Sequence, residues 1–126
     1  MLVNPVVDLG VTFDKKTIVA VDDKGLVHVG DVAKRETLAK FEPHKSGVHS
    51  LLVSPKNGML VTISNDREIK AWSLPLADRK DPRPVRSWNL PVGVNGAAFT
   101  PDGRNLVTAN MDGTAYVLDL DGGETN

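Results

Sequence analysis

His44, Ser64 and Asp66 are the side-chain types of a hydrolytic triad, a base, a nucleophile and an orienting carboxylate, close together in the chain. A nucleophilic serine needs a sharp turn that lifts its hydroxyl out of the fold, and Gly-x-Ser-x-Gly is the common local sign of one. Ser64 instead lies between Ile63 and Asn65, where an apolar run ends. No residue is therefore assigned a catalytic role. His28, His44 and His49 show neither His-x-x-His nor His-x-x-x-His spacing and read as separate histidines rather than a metal site. The pairs Asp22-Asp23 and Asp119 with Asp121 lack the alternating oxygens and the glycine of a calcium loop, so turn chemistry accounts for them. With no Gly-x-Gly-x-x-Gly and no Walker segment, no cofactor is expected.

Charge points the same way. Lys34-Arg35 and Arg79-Lys80 with Arg83 and Arg86 form small basic clusters, but Glu36, Asp78 and Asp81 dilute them, and the net charge is −1 with a pI near 6.3. Neither nucleic acid nor an anionic membrane is expected as a partner. The 126 residues are 40% hydrophobic and 25% charged, which suits one globular domain or part of one. The absence of cysteine removes disulfides and thiolate chemistry and fits a reducing compartment, so a soluble, cytoplasmic chain is expected. The opening MLVNPVVDLG has no basic n-region, and no apolar run reaches the length of a membrane span.

The elements that would position these side chains are short strands. Val7, Leu9, Val11 and Phe13 alternate with polar or small residues, which is the two-residue period of a strand, and predict one over Val7 to Phe13. Ile18 to Val21, Leu26 to Val29 and Thr37 to Phe41 follow, separated by turn sequences such as Asp22-Asp23-Lys24-Gly25. A second pass gives Val48 to Val53, Met59 to Ile63, Glu68 to Trp72 and Val85 to Leu90. A third gives Val94 to Phe99, Asn105 to Ala109 and Thr114 to Leu118, and stops without a fourth strand. The passes align without gaps. Leu60, Thr62, Asp66 and Ser73 match Leu106, Thr108, Asp112 and Asp119 at a separation of 46, while Ile18, Val21 and Asp31 match Leu60, Ile63 and Ser73 at 42. The difference falls in the loop Leu74 to Pro84, whose prolines cannot donate to a sheet. A period near 40 to 45 with about four strands per unit predicts a propeller of stacked sheets rather than a sandwich.

The stretch PHKSGVHSLLVSPKNGMLVTISNDREIKAWS, Pro43 to Ser73, resembles one blade of a WD-repeat (WD-40 type) β-propeller. Pro43-His44 stands in the place of the family's Gly-His pair, Ser54-Pro55-Lys56-Asn57-Gly58 in that of its turn, and Trp72-Ser73 in that of the closing Trp-Asp, with Pro43 and Ser73 as departures. The resemblance implies an all-β fragment of about three four-stranded antiparallel blades: residues 6–42, residues 43–91, and an incomplete third over 92–121, with a tail at 122–126. It implies a buried structural tetrad of His44, Ser64, Asp66 and Trp72, in which His bonds to Asp and Ser, and Ser bonds to the Trp indole. Only the central blade carries it: the third has Leu90, Asn110 and Leu118 at three of the four places, and the first has Gly30 at the Trp place. It further implies a binding rim at His44, Lys45, Ser46, Asn65, Arg67, Asn95, Asn110 and Met111, and a non-enzymatic scaffold for an unknown protein or peptide. The alternative is a propeller module serving an enzyme or electron-transfer domain outside this sequence. On either reading the open ends of three blades need further blades, from a longer chain or from self-association.

Overall fold

A computed structural model describes residues 5–76 and 80–120. The expected tail 122–126, the final Asp121 and the loop residues Asp78 and Arg79 lie outside the described residues. Eleven strands are described: β1 (Val6–Val11), β2 (Thr17–Asp22), β3 (Val27–Asp31), β4 (Glu36–Phe41), β5 (Val48–Val53), β6 (Met59–Ser64), β7 (Glu68–Ser73), β8 (Arg86–Asn89), β9 (Val94–Phe99), β10 (Asn105–Asn110) and β11 (Ala115–Asp119). They form three antiparallel meanders, β1 to β4, β5 to β8 and β9 to β11. This is the all-β propeller fragment that the repeat arithmetic predicts.

The first strand is shorter than its alternation predicts, because Thr12 ends it. The Thr12 hydroxyl donates to Asp14 at 2.6 Å and accepts from Thr17 N at 3.1 Å, closing a turn in which Lys15 takes φ 63°. Phe13 is thereby placed in the turn and left half exposed. At the equivalent positions, 42 and then 46 residues on, Thr100 accepts from Asn105 N in the same way, while Ser54 accepts from Lys56 N and Asn57 N.

Paired residues of neighbouring antiparallel strands share a face, so the register sorts every side chain to one side of its sheet. In the first sheet Gly10, Val19, Val29 and Ala39 lie in one row and Val21, Val27 and Phe41 in the next. Together they pack on Leu51, Leu60 and Trp72 of the second sheet, with the Phe41 and Trp72 ring centroids 4.8 Å apart. The opposite face of the second sheet, Val61, Ile63, Ile69, Ala71 and Trp88, packs on Val94, Leu106 and Leu118 of the third. β6 is consequently buried along almost its whole length, whereas β10 alternates. Leu74 and Leu76, in the proline-rich loop, fold back against the first of these two cores, and Leu74 N donates to Gly58 O at 2.7 Å.

At the inner edge the first and second sheets approach closely. Leu51 N donates to Asp8 Oδ2 across the junction at 3.2 Å, and a Cβ placed on Gly10 would lie 2.6 Å from Val53 Cγ2. The contact requires that Gly10 carry no side chain. Gly10→Val is expected to destabilise the fold by about 1–3 kcal/mol through overpacking, read as a lowered urea midpoint; an unchanged midpoint would show that the two inner strands are not held at this spacing.

Candidate functional site

His44 lies in the loop between β4 and β5 and is almost fully buried. Its Nδ1–H donates to Glu68 Oε1 at 2.8 Å, and its Nε2 meets the Thr62 hydroxyl at 2.9 Å. Trp72 Nε1–H donates to the same hydroxyl at 3.0 Å. The carboxylate on Nδ1 sets the tautomer, so the Thr62 proton points to Nε2 and one chain of hydrogen bonds runs from Trp72 through Thr62 and His44 to Glu68. Lys70 Nζ donates to Pro43 O at 2.8 Å and stands 3.9 Å from the same Glu68 oxygen, fastening the start of the loop.

The expected tetrad is thus corrected in two of its four members. His44 and Trp72 belong to one network, but Thr62 and Glu68 join them. Ser64 and Asp66 bond to each other in the turn after β6, where Ser64 Oγ also accepts from Glu68 N at 2.9 Å. Position along the strand gives the reason: Leu60, Thr62 and Ser64 share the face toward the first sheet, but Trp72 pairs with Leu60, so Thr62 is the hydroxyl next to the indole, while Ser64 lies at the strand end and caps the turn. The match of Thr62 to Thr108 at the repeat distance was the available signal. No hydrogen bond joins Ser64 to His44 among the described residues, so the side chains of a triad are present without its geometry.

The network is not repeated. In the third sheet Leu118 occupies the Trp place, and Thr108 Oγ1 and Asn110 Oδ1 are buried without a partner. In the first, Asp22 takes the Ser64 place, accepts from Lys24 N and Leu26 N, and binds His28 Nε2 at 2.9 Å.

One end of the sheets gathers the loops expected to form a rim. Asn65 Nδ2 donates to Ser46 O at 3.0 Å, and Met111 N to Gly93 O at 2.9 Å. Lys45, Ser46, Asn65, Asp23 and Lys24 surround an open depression of about 530 Å³ between the first and second sheets. Asn65, Arg67, Asn95 and Met111 are exposed. Two expected rim residues are corrected: His44 and Asn110 are buried and present nothing to a partner.

Four carboxyls on the connecting turns share one environment. Hydroxyls of Ser64, Thr12, Thr100 and Thr114 bond to Asp66, Asp14, Asp102 and Asp112 and hold each below the ordinary value of 3.8. A carboxyl with a lower pKa folded than unfolded adds stability above its ordinary value and loses it as pH falls through the lowered one. Melting temperature is therefore expected to drop on acidification below about pH 4, and to drop less steeply in a variant with all four replaced by Asn; parallel profiles would show that these turns do not carry the dependence.

A family model for "WD domain, G-beta repeat" matches residues 35–73 and 83–119. The chain is 30% identical over 98 residues to "Eukaryotic translation initiation factor 3 subunit I" of Aspergillus fumigatus, covering 74% of this chain and 27% of that protein. It is 35% identical over 78 residues to "Non-functional target of rapamycin complex subunit LST8-2" of Arabidopsis thaliana, covering 56% and 25%. In structure it is similar to the Myceliophteria thermophila Cps50 (Swd1) beta-propeller domain, with a TM-score of 0.77 at 16% identity over 96% of this chain and 41% of that one. The chain spans about a quarter of the length of the curated relatives it matches.

The hydrogen-bond chain yields a paired prediction. Thr62→Val removes the link between indole and imidazole and is expected to cost about 1–3 kcal/mol, whereas Thr108→Val removes a hydroxyl that has no partner and is expected to be neutral or stabilising. Thermal melts of the two variants check it, and equal losses would sink the assignment.

Proposed function

We propose, from the premise that the chain belongs to the WD40 family of G-beta-type repeat proteins, that it is a non-enzymatic scaffold whose depression beside Lys45, Ser46 and Asn65 takes an acidic segment of a partner protein. The observation that carries this is Arg67. It holds φ 77°, in the left-handed region, at the turn position where the first and third units have Gly25 at φ 83° and Gly113 at φ 86°. A side chain there costs roughly 1–2 kcal/mol that glycine avoids, a cost that Lys15 and Arg35 also bear in other turns. The Arg67 side chain is exposed and has no carboxylate partner among the described residues. Lys24 and Lys45 stand around the depression together with Asp22 and Asp23, so the uncompensated positive charge that this reading needs comes from Arg67, outside that lining.

The buried His44 chain serves this surface indirectly, fixing the loop that carries Lys45 and Ser46. A cytoplasmic setting fits a chain without cysteine, and the described residues contain no helix long and apolar enough to cross a membrane. Further blades, in the rest of a longer chain or in another copy, would cover the two open sheet faces.

Arg67→Gly is expected to raise stability by about 1 kcal/mol and, on an array of Asp- and Glu-rich peptides, to lower binding relative to the unmodified chain. A gain in stability with binding unchanged would place the ligand elsewhere.

A further inference from the structure

The turns that join the first two strands of each sheet are equivalent by position, but the second is built differently. Lys15 and Gly103 take the left-handed region at φ 63° and 72°, whereas Asn57, which stands between them in the repeat, does not. The preceding residue gives the reason. Asp14 and Asp102 accept from Lys16 N at 3.0 Å and Arg104 N at 3.1 Å, but the second sheet has Lys56 at this place and no carboxylate to offer. Asn57 supplies the acceptor instead: Met59 N donates to its Oδ1 at 3.0 Å, which folds the side chain over the peptide to Gly58.

Gly58 is itself dictated by packing. Its equivalents are Lys16 and Arg104, but here the chain after β7 folds back, Leu74 N donates to Gly58 O at 2.7 Å, and a Cβ on residue 58 would collide with Leu74 O. The return of Leu74 therefore selects glycine, and a glycine after asparagine leaves the next amide nitrogen unshielded. Asn57 is exposed to water, and Gly58 N donates no hydrogen bond among the described residues. The Met59 N–H on Oδ1 draws electron density from the amide carbon and is in place for the oxyanion that attack on that carbon creates.

We propose that Asn57 is a site of spontaneous succinimide formation whose main product is an isoaspartyl turn. Gly58 N gives up its proton to hydroxide and bonds to Asn57 Cγ; the Cγ–Nδ2 bond breaks, and Nδ2 leaves as ammonia with a proton from water. Water then opens the ring. Breaking the bond from Gly58 N to Cγ gives aspartate, while breaking the bond from Gly58 N to the Asn57 main-chain carbonyl gives isoaspartate, in which the main chain runs through the side-chain methylene. The longer turn loses the contacts that hold it. In the third sheet Gly103 packs on this corner so closely that a Cβ there would lie 2.8 Å from Ser54 Oγ and 3.2 Å from Asn57 Nδ2. Gly58 O anchors Leu74, which packs against the core between the first two sheets. The site lies at the opposite end of β6 from Asn65 and Arg67, so it does not rest on the rim reading.

Asn95-Gly96 is the other Asn-Gly pair in the sequence and serves as an internal reference. It lies within β9, with Gly96 paired to Ala109, and closing the five-membered ring needs the main chain to rotate out of the extended form. The chain is held folded at mildly alkaline pH beside a sample unfolded in guanidinium, and peptide mass spectrometry follows the amide-to-acid mass gain. Folded, Asn57 is expected to convert while Asn95 stays an amide; unfolded, the two are expected to convert alike. A folded chain in which Asn95 keeps pace with Asn57, or in which Asn57 is protected as fully as Asn95, would overturn the proposal. Chain enriched in isoaspartate at 57 is expected to show a lower urea midpoint than Asn57→Asp, which adds the charge without the longer main chain. Equal midpoints would overturn the loosened corner.

Discussion

A β-sheet that is apolar on both faces cannot be stable alone, and the central sheet of this protein is such a sheet. Leu60, Thr62 and Trp72 look one way, Val61, Ile63, Ile69 and Ala71 the other, and nearly all are withdrawn from water. Each fully buried side chain of this size gains about 1.5–3 kcal/mol, but only if a neighbouring sheet supplies the cover. The stack is the unit of stability, as in other repeat architectures. Everything else follows from where the stack has neighbours and where it does not.

That constraint explains why the polar network sits where it does. Thr62 points into the junction of the first and second sheets, where water is excluded, and a hydroxyl there is tolerable only with partners. Trp72 and His44 provide them, and Glu68, partly open to solvent, ends the chain at a place where its charge can stay hydrated. Thr108 occupies the same place in the third sheet, but Leu118 has no N–H to offer, so the hydroxyl is stranded. In the first sheet Ala20 stands at this position and asks for nothing, and Asp22 and His28 make a different pair at its edge. The three units share a backbone and differ in which of them has polar groups to satisfy.

How much of this was legible in the sequence depended on whether the feature was periodic. The gapless separations of 42 and 46 gave the sheets, their strands and their matching positions, because period and register repeat together. The end of β1 was missed, because Phe13 continues the alternation in residue type while the Thr12 hydroxyl closes a turn around it. His44 and Trp72 follow from the resemblance, but Ser64 and Asp66 come from motif positions, and the place along the strand decides which hydroxyl reaches the indole. Alternation puts Leu60, Thr62 and Ser64 on one side and does not choose between the two hydroxyls; Trp72 pairs with Leu60, which leaves Thr62 beside the indole and Ser64 further along, at the turn. Burial of Asn110 was not: a polar residue at a strand end gives no sign of which way it turns until Thr114 is seen to hold its Nδ2 at 3.1 Å.

The departures from periodicity are not set by the stack. Positions 25, 67 and 113 are one turn site, and the backbone adopts the left-handed region at all three. Glycine at two of them is what the geometry alone would select. Arginine at the third keeps the geometry and adds a cation, so its presence is not explained by the fold. The turn site keeps its conformation and changes its chemistry. In a repeat protein the shared positions build the stack, and what distinguishes one unit from the next is where a partner can be recognised.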